Sequence, residues 1–298
     1  MPHLVFIPAY IKVLKKNSGN DTKVFNRKLD ELFERCRSSR FWAMCNGCNF
    51  IIVFASGAGP GIVQLPHYRV ADTMVITGID FHWNKFKAHK DIVAPYPLYP
   101  SFLKQRDKCC CMDGPPCWVR DIFVFLRCSM EGHPHFALRS NIKSSVEYEV
   151  DILGLEMASR GQVIVSDQRS PDYPDELGRS VFCLAPKGIT PSSKRLFEAM
   201  AVCCIPVIIS DKLILPYSSH IPWDRMTVRI PEANYQTIIQ TLLQIPQIVI
   251  EEKRRAIREN FDKVFYYMPP QPGDAFSLYL EELHRVYSNL RPLHLSLP

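Results

Sequence analysis

The sequence predicts an α/β protein of two domains, each a parallel sheet covered by helices, facing each other across a cleft. Three observations lead there. Short apolar, β-branched runs alternate with helical patterns along the 298 residues, the pattern that βαβ units produce. A run such as VFCLA is apolar throughout, as a central parallel strand is, instead of alternating polar and apolar. The alternation breaks once, at 94–117, where five prolines occur without periodicity, and such a stretch reads as a linker or long loop.

The elements follow in order. LVFIP (4–8), FIIVF (50–54) and MVIT (74–77) read as strands. Between the first two, KVFNRKLDELFERC (23–36) places Leu29, Leu32, Phe33 and Cys36 at helical spacing. After the break come a strand IFVFL (122–126), a helix near 134–148, and strands VIVS (163–166) and VFCLA (181–185). A helix over 192–203 and a strand PVIIS (206–210) complete that βαβ unit, and from ANYQTIIQTLLQI (233–245) onward the chain reads as helical. The expected domains are 1–115, 116–270, and a C-terminal helix at 271–298 able to pack back on the first domain.

Composition excludes some classes. The apolar fraction of 47% and charged fraction of 22% are those of an ordinary globular protein. The net charge of +6, from 36 basic and 30 acidic residues, is spread without a basic stripe, so no nucleic-acid partner is expected. No apolar run reaches the roughly 18–20 residues needed to span a bilayer. The opening MPHLVFIPAY lacks a basic leader region, so the chain is expected either to be soluble or to have its anchor elsewhere. Among 11 cysteines, Cys45, Cys48, Cys109, Cys110, Cys111 and Cys117 could offer four thiolates to zinc, but without two matched C-x2-C pairs. Disulfides in an oxidising lumen and buried idle thiols remain the other readings. Cys183, Cys203 and Cys204 lie inside apolar elements and read as core.

Residues 181–211 carry the most chemistry. Pro186, Lys187 and Gly188 turn the chain at the carboxyl end of a buried strand. Thr190 or Ser192 can cap the helix that follows, with Pro191 in its first turn. Leu196, Met200 and Cys203 form its core stripe, while Arg195 and Glu198, at i and i+3, share a neighbouring face. Ligands of open α/β sheets bind outside the carboxyl ends of the strands, where a helix N-terminus attracts anions. Arg195 adds a planar fork suited to phosphate oxygens and Lys187 a point charge. Glu198 would repel a phosphate, and suits two adjacent hydroxyls such as those of a ribose. Together they describe a nucleotide-sugar pocket; the competing reading is a surface i,i+3 ion pair worth about 0.2–0.5 kcal/mol.

The run SVFCLAPKG…SSKRLFEAMAVCCIPVIISDKLILPYSSHIPW resembles the signature of the exostosin-like glycosyltransferases, the family called GT47. Ser180, Phe182, Cys183, Leu184, Pro186, Gly188, Ser193, Arg195, Glu198, Ala199, Pro206, Val207, Ser210, Asp211, Leu215, Pro216, Tyr217 and Trp223 carry the match. LVFIPAY, NFIIVFASGAGPG and HKDIVAPYP extend it over nearly the whole chain. The resemblance implies the GT-B fold of two Rossmann-like domains. It also implies a UDP-sugar donor, transfer with inversion, and work in the Golgi lumen on a cell-wall or matrix glycan or glycoprotein. Arg195 and Glu198 become donor-site residues, supported by Lys187, Gly188 and Ser193, and Arg139 matches an arginine that follows the 126–132 loop in relatives.

Departures accompany the match. Ser56 and Gly57 stand where many plant members carry His-Asp, and this SGAG version resembles a plant and algal branch, some of it linked to arabinosylation of wall proteins. LRCSMEG replaces the family's F-x-G, and the usual N-terminal anchor is missing from this chain. No D-x-D tripeptide occurs, so no metal is expected and no cofactor beyond the donor itself. The general base is expected from the N-terminal domain. Asp80, His67 and His82 are candidates there, and Asp211 is a candidate for contacting the sugar, with a turn-capping role as its alternative. EEKRR (251–255) reads as a solvated helix face and FYYMPP (265–270) as packing and a turn. The alternative to an active transferase is an inactive subunit acting through a homo- or hetero-oligomer with another glycosyltransferase.

Overall fold

The computed structural model describes residues 5–7, 18–19, 21–44, 47–54, 75–78, 86–98, 102 and 119–295. The chain divides into two compact units, one of Met1–Pro95, Ile214–Tyr217 and Pro270–Pro298, the other of Tyr96–Leu213 and Ser218–Pro269.

In the first unit, β1 (Val5–Ile7), β2 (Phe50–Phe54), β3 (Val75–Gly78) and β4 (Ile92–Val93) form a parallel sheet in that order. Helix α1 (Thr22–Arg37) starts where the Asp21 carboxylate accepts the amides of Lys23 and Val24, a cap worth about 1 kcal/mol. Its stripe Phe25, Leu29, Phe33 and Cys36 is buried against Ile7, Phe50, Ile52 and Val93. At about 1.5–3 kcal/mol for each large side chain taken out of water, this stripe holds the helix on the sheet.

In the second unit the elements are β5 (Ile122–Arg127), α2 (Ala137–Ala158), β6 (Gln162–Ser166), α3 (Tyr173–Gly178), β7 (Ser180–Pro186), α4 (Lys194–Ala201), β8 (Ile205–Ile209) and β9 (Val228–Arg229). Helices α5 (Ile238–Leu243) and α6 (Gln247–Asn260) follow. The sheet is parallel throughout, in the order β6-β5-β7-β8-β9. Every residue of β8 is buried, which explains why the run is apolar without alternation. Glu149 on α2, itself buried, accepts the Ile239 and Gln240 amides at 3.0 Å each and so satisfies the N-terminus of α5. At the other end of the sheet, the Arg120 guanidinium donates to the carbonyls of Ser180 and Val202.

The last helix, α7 (Ala275–Leu295), groups with the first unit. Asp274 caps it through the Phe276 and Ser277 amides, and Tyr217 donates to the Ala275 carbonyl at 3.1 Å. Among the described residues no helix is long and apolar enough to cross a membrane.

Several elements differ from expectation. The 192–203 helix is shorter, running from 194 to 201 with Ser193 at its N-cap in place of Thr190 or Ser192. Cys203 therefore lies beyond the helix, in a left-handed conformation at φ 54°. The three cysteines read as core are oxidised: Cys183 in β7 is bonded to Cys204 beside β8, and Cys203, like Cys48, is disulfide-bonded, while the buried Cys36 and Cys128 are free thiols. Strands β4 and β9 have two residues each, too few for any pattern, and the six-residue α3 is likewise too short to be read.

Candidate functional site

Numbered by their order along the second unit, the strands lie 2-1-3-4-5 across its sheet. The chain thus leaves β5 toward β6 on one side and later fills β7 on the other. The crevice beyond the carboxyl ends of β5 and β7 is the topological switch point, the general ligand position of open parallel sheets. Residues 127–129 and 187–188 form its rim, and α4 points its N-terminus there.

That helix end carries an unusual group. Ser193 has extended N-cap dihedrals, yet its hydroxyl makes no capping bond; it is buried and without a partner among the described residues. A buried hydroxyl lacking any hydrogen bond costs about 1–3 kcal/mol, a cost that a hydrogen bond to an external group would remove. The turn leading to it is fixed by Gly188 N–H donating to the Thr190 carbonyl and Ser210 Oγ–H to the Pro191 carbonyl.

Two guanidiniums flank the same point. Arg195 donates from Nε to the Arg127 carbonyl at 2.9 Å, and its terminal nitrogens meet no acceptor among the described residues. Arg139, 7% exposed, donates to the carbonyls of Lys187 (3.0 Å) and Ser129 (3.1 Å) and lies 4.6 Å over the Phe136 ring. Neither arginine has a carboxylate partner among the described residues. Burial holds Arg139 below the usual arginine range, and the nearby Arg195 charge adds to that, with the buried Cys128 thiol pulling the other way. Burying an unpaired cation costs several kcal/mol, and the half-buried Arg195 beside Arg139 places a second positive charge at the same point.

Glu198 faces different company. The Tyr173 hydroxyl donates to Oε2 at 2.8 Å, and Lys194 Nζ lies 3.2 Å from Oε1. Burial first, and the Glu198 charge second, push the Tyr173 phenol far upward, so it is a fixed proton donor. Helix α3, which bears Tyr173, is tied to β5 by a two-pronged ion pair, Arg127 Nε and Nη2 to the Glu176 carboxylate at 2.6 and 2.7 Å, a strong geometry.

Two expected roles change. Lys187 is not an unpaired charge awaiting phosphate: its ammonium pairs with Glu232, while its carbonyl serves Arg139. Asp211 takes the capping alternative. Its Oδ1 accepts the Glu232 amide at 3.0 Å and its own amide donates to Glu232 Oε1 at 3.1 Å, so one oxygen of this exposed carboxylate serves the turn. Asp80, His67 and His82 lie outside the described residues. Tyr173, Arg127 and Glu232 escaped the sequence reading: SPDYPDELG (170–178) shows no periodicity, and their contacts cross 21 to 49 residues of chain. Among the described residues no group of three metal-ligating side chains occurs.

Gly188 matters for space. A Cβ there would come within 2.5 Å of Arg139 Nη2, the movable end of a flexible side chain. Gly188→Ala is therefore expected to displace the guanidinium and leave the fold intact. Thermal melting should shift by less than about 1 kcal/mol in stability, while affinity for a diphosphate falls about tenfold, as expected when one charged hydrogen bond is misplaced. Unchanged affinity would show that Arg139 does not act in binding.

The exostosin GT47 domain matches residues 2–245. The chain belongs to the exostosin GT47 family. Its two sheets are those of two parallel α/β units, as expected. Among its exostosin GT47 relatives is a rice protein (Oryza sativa subsp. japonica) named "Probable glucuronosyltransferase", 38% identical over 133 residues, which are 44% of this chain and 32% of that one. An Arabidopsis thaliana protein named "Probable beta-1,4-xylosyltransferase" is 36% identical over 133 residues, with the same coverages of 44% and 32%. The matched stretch spans about a third of the length of these curated relatives. Among solved structures the chain is similar to Anabaena HepE in complex with UDP, at 12% identity and a TM-score of 0.44, covering 93% of this chain and 81% of that one.

Proposed function

We propose that the chain is a glycosyltransferase that moves a sugar from a UDP-sugar to a hydroxyl of a cell-wall or matrix glycan or glycoprotein. The observation that carries this is the switch-point crevice where, among the described residues, two guanidiniums lack carboxylates and a buried serine hydroxyl at a helix N-terminus lacks a partner. A diphosphate supplies what all three lack. Glu198 offers acceptors to the ribose hydroxyls. The names of the plant relatives put UDP-xylose and UDP-glucuronic acid first among donors to test. A buried disulfide at Cys183 and Cys204 suits an oxidising lumen such as the Golgi.

In the proposed reaction the acceptor oxygen bonds to the anomeric carbon as the bond from that carbon to the β-phosphate oxygen breaks, with inversion. The acceptor proton passes to a general base expected from the N-terminal unit, and UDP departs with its charge held by Arg195, Arg139 and the α4 amides, where a metal would otherwise stand. Incubating the chain with candidate UDP-sugars and a glycan acceptor should release UDP, and EDTA should leave the rate within about twofold. Loss of UDP release on chelation would overturn the metal-free mechanism; no release with any donor, alongside UDP binding, would favour the second reading. That reading is a non-catalytic subunit of a glycosyltransferase assembly. It is favoured by Asp211, whose carboxylate is engaged in a turn.

A further inference from the structure

We propose that Tyr173 is a positioning residue: it sets the Glu198 carboxylate to receive a cis-diol, so that the site selects ribonucleotides over 2′-deoxyribonucleotides. This rests on the donor-site reading above.

An ionised carboxylate offers about four acceptor directions, two on each oxygen. In Glu198 the Tyr173 hydroxyl takes one acceptor direction on Oε2, and the Lys194 ammonium stands 3.2 Å from Oε1 as an ion pair. Among the described residues at least one direction on each oxygen is left, which is the complement of two neighbouring hydroxyl donors. The side chain is 12% exposed, so an external group can reach it while bulk water has limited access. Lys194 alone would leave the carboxylate free to rotate about its last torsion; the phenol removes that freedom.

Tyr173 is itself held. Its ring packs 5.7 Å from that of Phe125 in β5, and its helix is pinned to β5 by the Arg127–Glu176 pair. The carbonyl of that same Arg127 receives Arg195. Both ligand-facing side chains of α4 are therefore referenced to one strand end: Arg195 directly, Glu198 through Tyr173. A fixed spacing between an anion-binding group and a diol-binding group measures the distance from diphosphate to ribose.

The test is calorimetric titration of the full chain with UDP, 2′-deoxy-UDP and pyrophosphate, on wild type, Tyr173→Phe, Glu198→Ala and the double variant. Phenylalanine keeps the ring against Phe125, and far-ultraviolet melting checks that the fold persists. The wild type should prefer UDP over 2′-deoxy-UDP about tenfold, the effect of one charge-assisted hydrogen bond. Tyr173→Phe should shrink that ratio to within about twofold, with pyrophosphate affinity unchanged, and should change nothing further when added to Glu198→Ala. A full preference retained in Tyr173→Phe overturns the proposal. So does a wild type that binds UDP without distinguishing the deoxy form. A wild type that binds neither UDP nor pyrophosphate defeats the donor reading itself.

Discussion

Arg195→Met is expected to weaken UDP binding about a hundredfold while leaving the free protein nearly as stable as before. The side chain is half-buried, and among the described residues its Nε bond to the Arg127 carbonyl is its one hydrogen bond to the fold. Methionine keeps most of the aliphatic packing. What goes is a planar donor whose two terminal nitrogens are available to phosphate oxygens. Charge-assisted hydrogen bonds contribute about 1.5–3 kcal/mol each, and about 2.7 kcal/mol is a factor of one hundred in affinity. Titration calorimetry gives the affinity, and a urea transition, expected to move by less than about 1 kcal/mol, gives the stability. Arg139→Met should lose a similar factor. The double variant should lose less than the product of the two, because both side chains act on one anion and such neighbours do not add. Wild-type affinity in Arg195→Met would remove the diphosphate from this crevice.

The second large effect concerns stability. Replacing Cys183 and Cys204 with alanine is expected to cost the second unit about 3 kcal/mol, the loop-closure effect for a bond spanning 21 residues. The bond runs from the middle of β7 to the residue just before β8 and closes the segment that carries α4 into a ring, so it holds the βαβ unit away from the carboxyl-end crevice. Both cysteines are buried, and shortening them to alanine adds a small packing loss. Urea unfolding followed by far-ultraviolet circular dichroism should show the lower midpoint, and a non-reduced peptide map should show the two cysteines linked in the wild type. A variant as stable as wild type would mean that the bond constrains nothing that packing does not already hold.

The apolar, unalternating runs at 181–185 and 206–210 located β7 and β8 because strands buried on both faces have no polar positions to show. Arg195 and Glu198 were legible as a pair because helical spacing alone puts i and i+3 on one side. For Asp211 the sequence left a sugar contact and a turn cap both open, because its partner, the Glu232 amide, comes from a turn 21 residues on. Lys187 likewise looked available until Glu232 came into place beside it. The Cys183–Cys204 link was hidden because apolar surroundings suit a thiol and a disulfide alike.

Local periodicity and the ordered motif from Ser180 to Trp223 determined the parallel α/β class, the family, and the helix that presents Arg195 and Glu198. Such features depend only on neighbours a few residues apart, where backbone geometry dictates which side chains meet. The order of strands, the convergence of Arg139 with Arg195, and the grip of Tyr173 on Glu198 were settled by tertiary structure. They join groups separated by 25 to 56 residues, and only the closing of the sheet around β5 brings those groups within hydrogen-bonding or electrostatic reach.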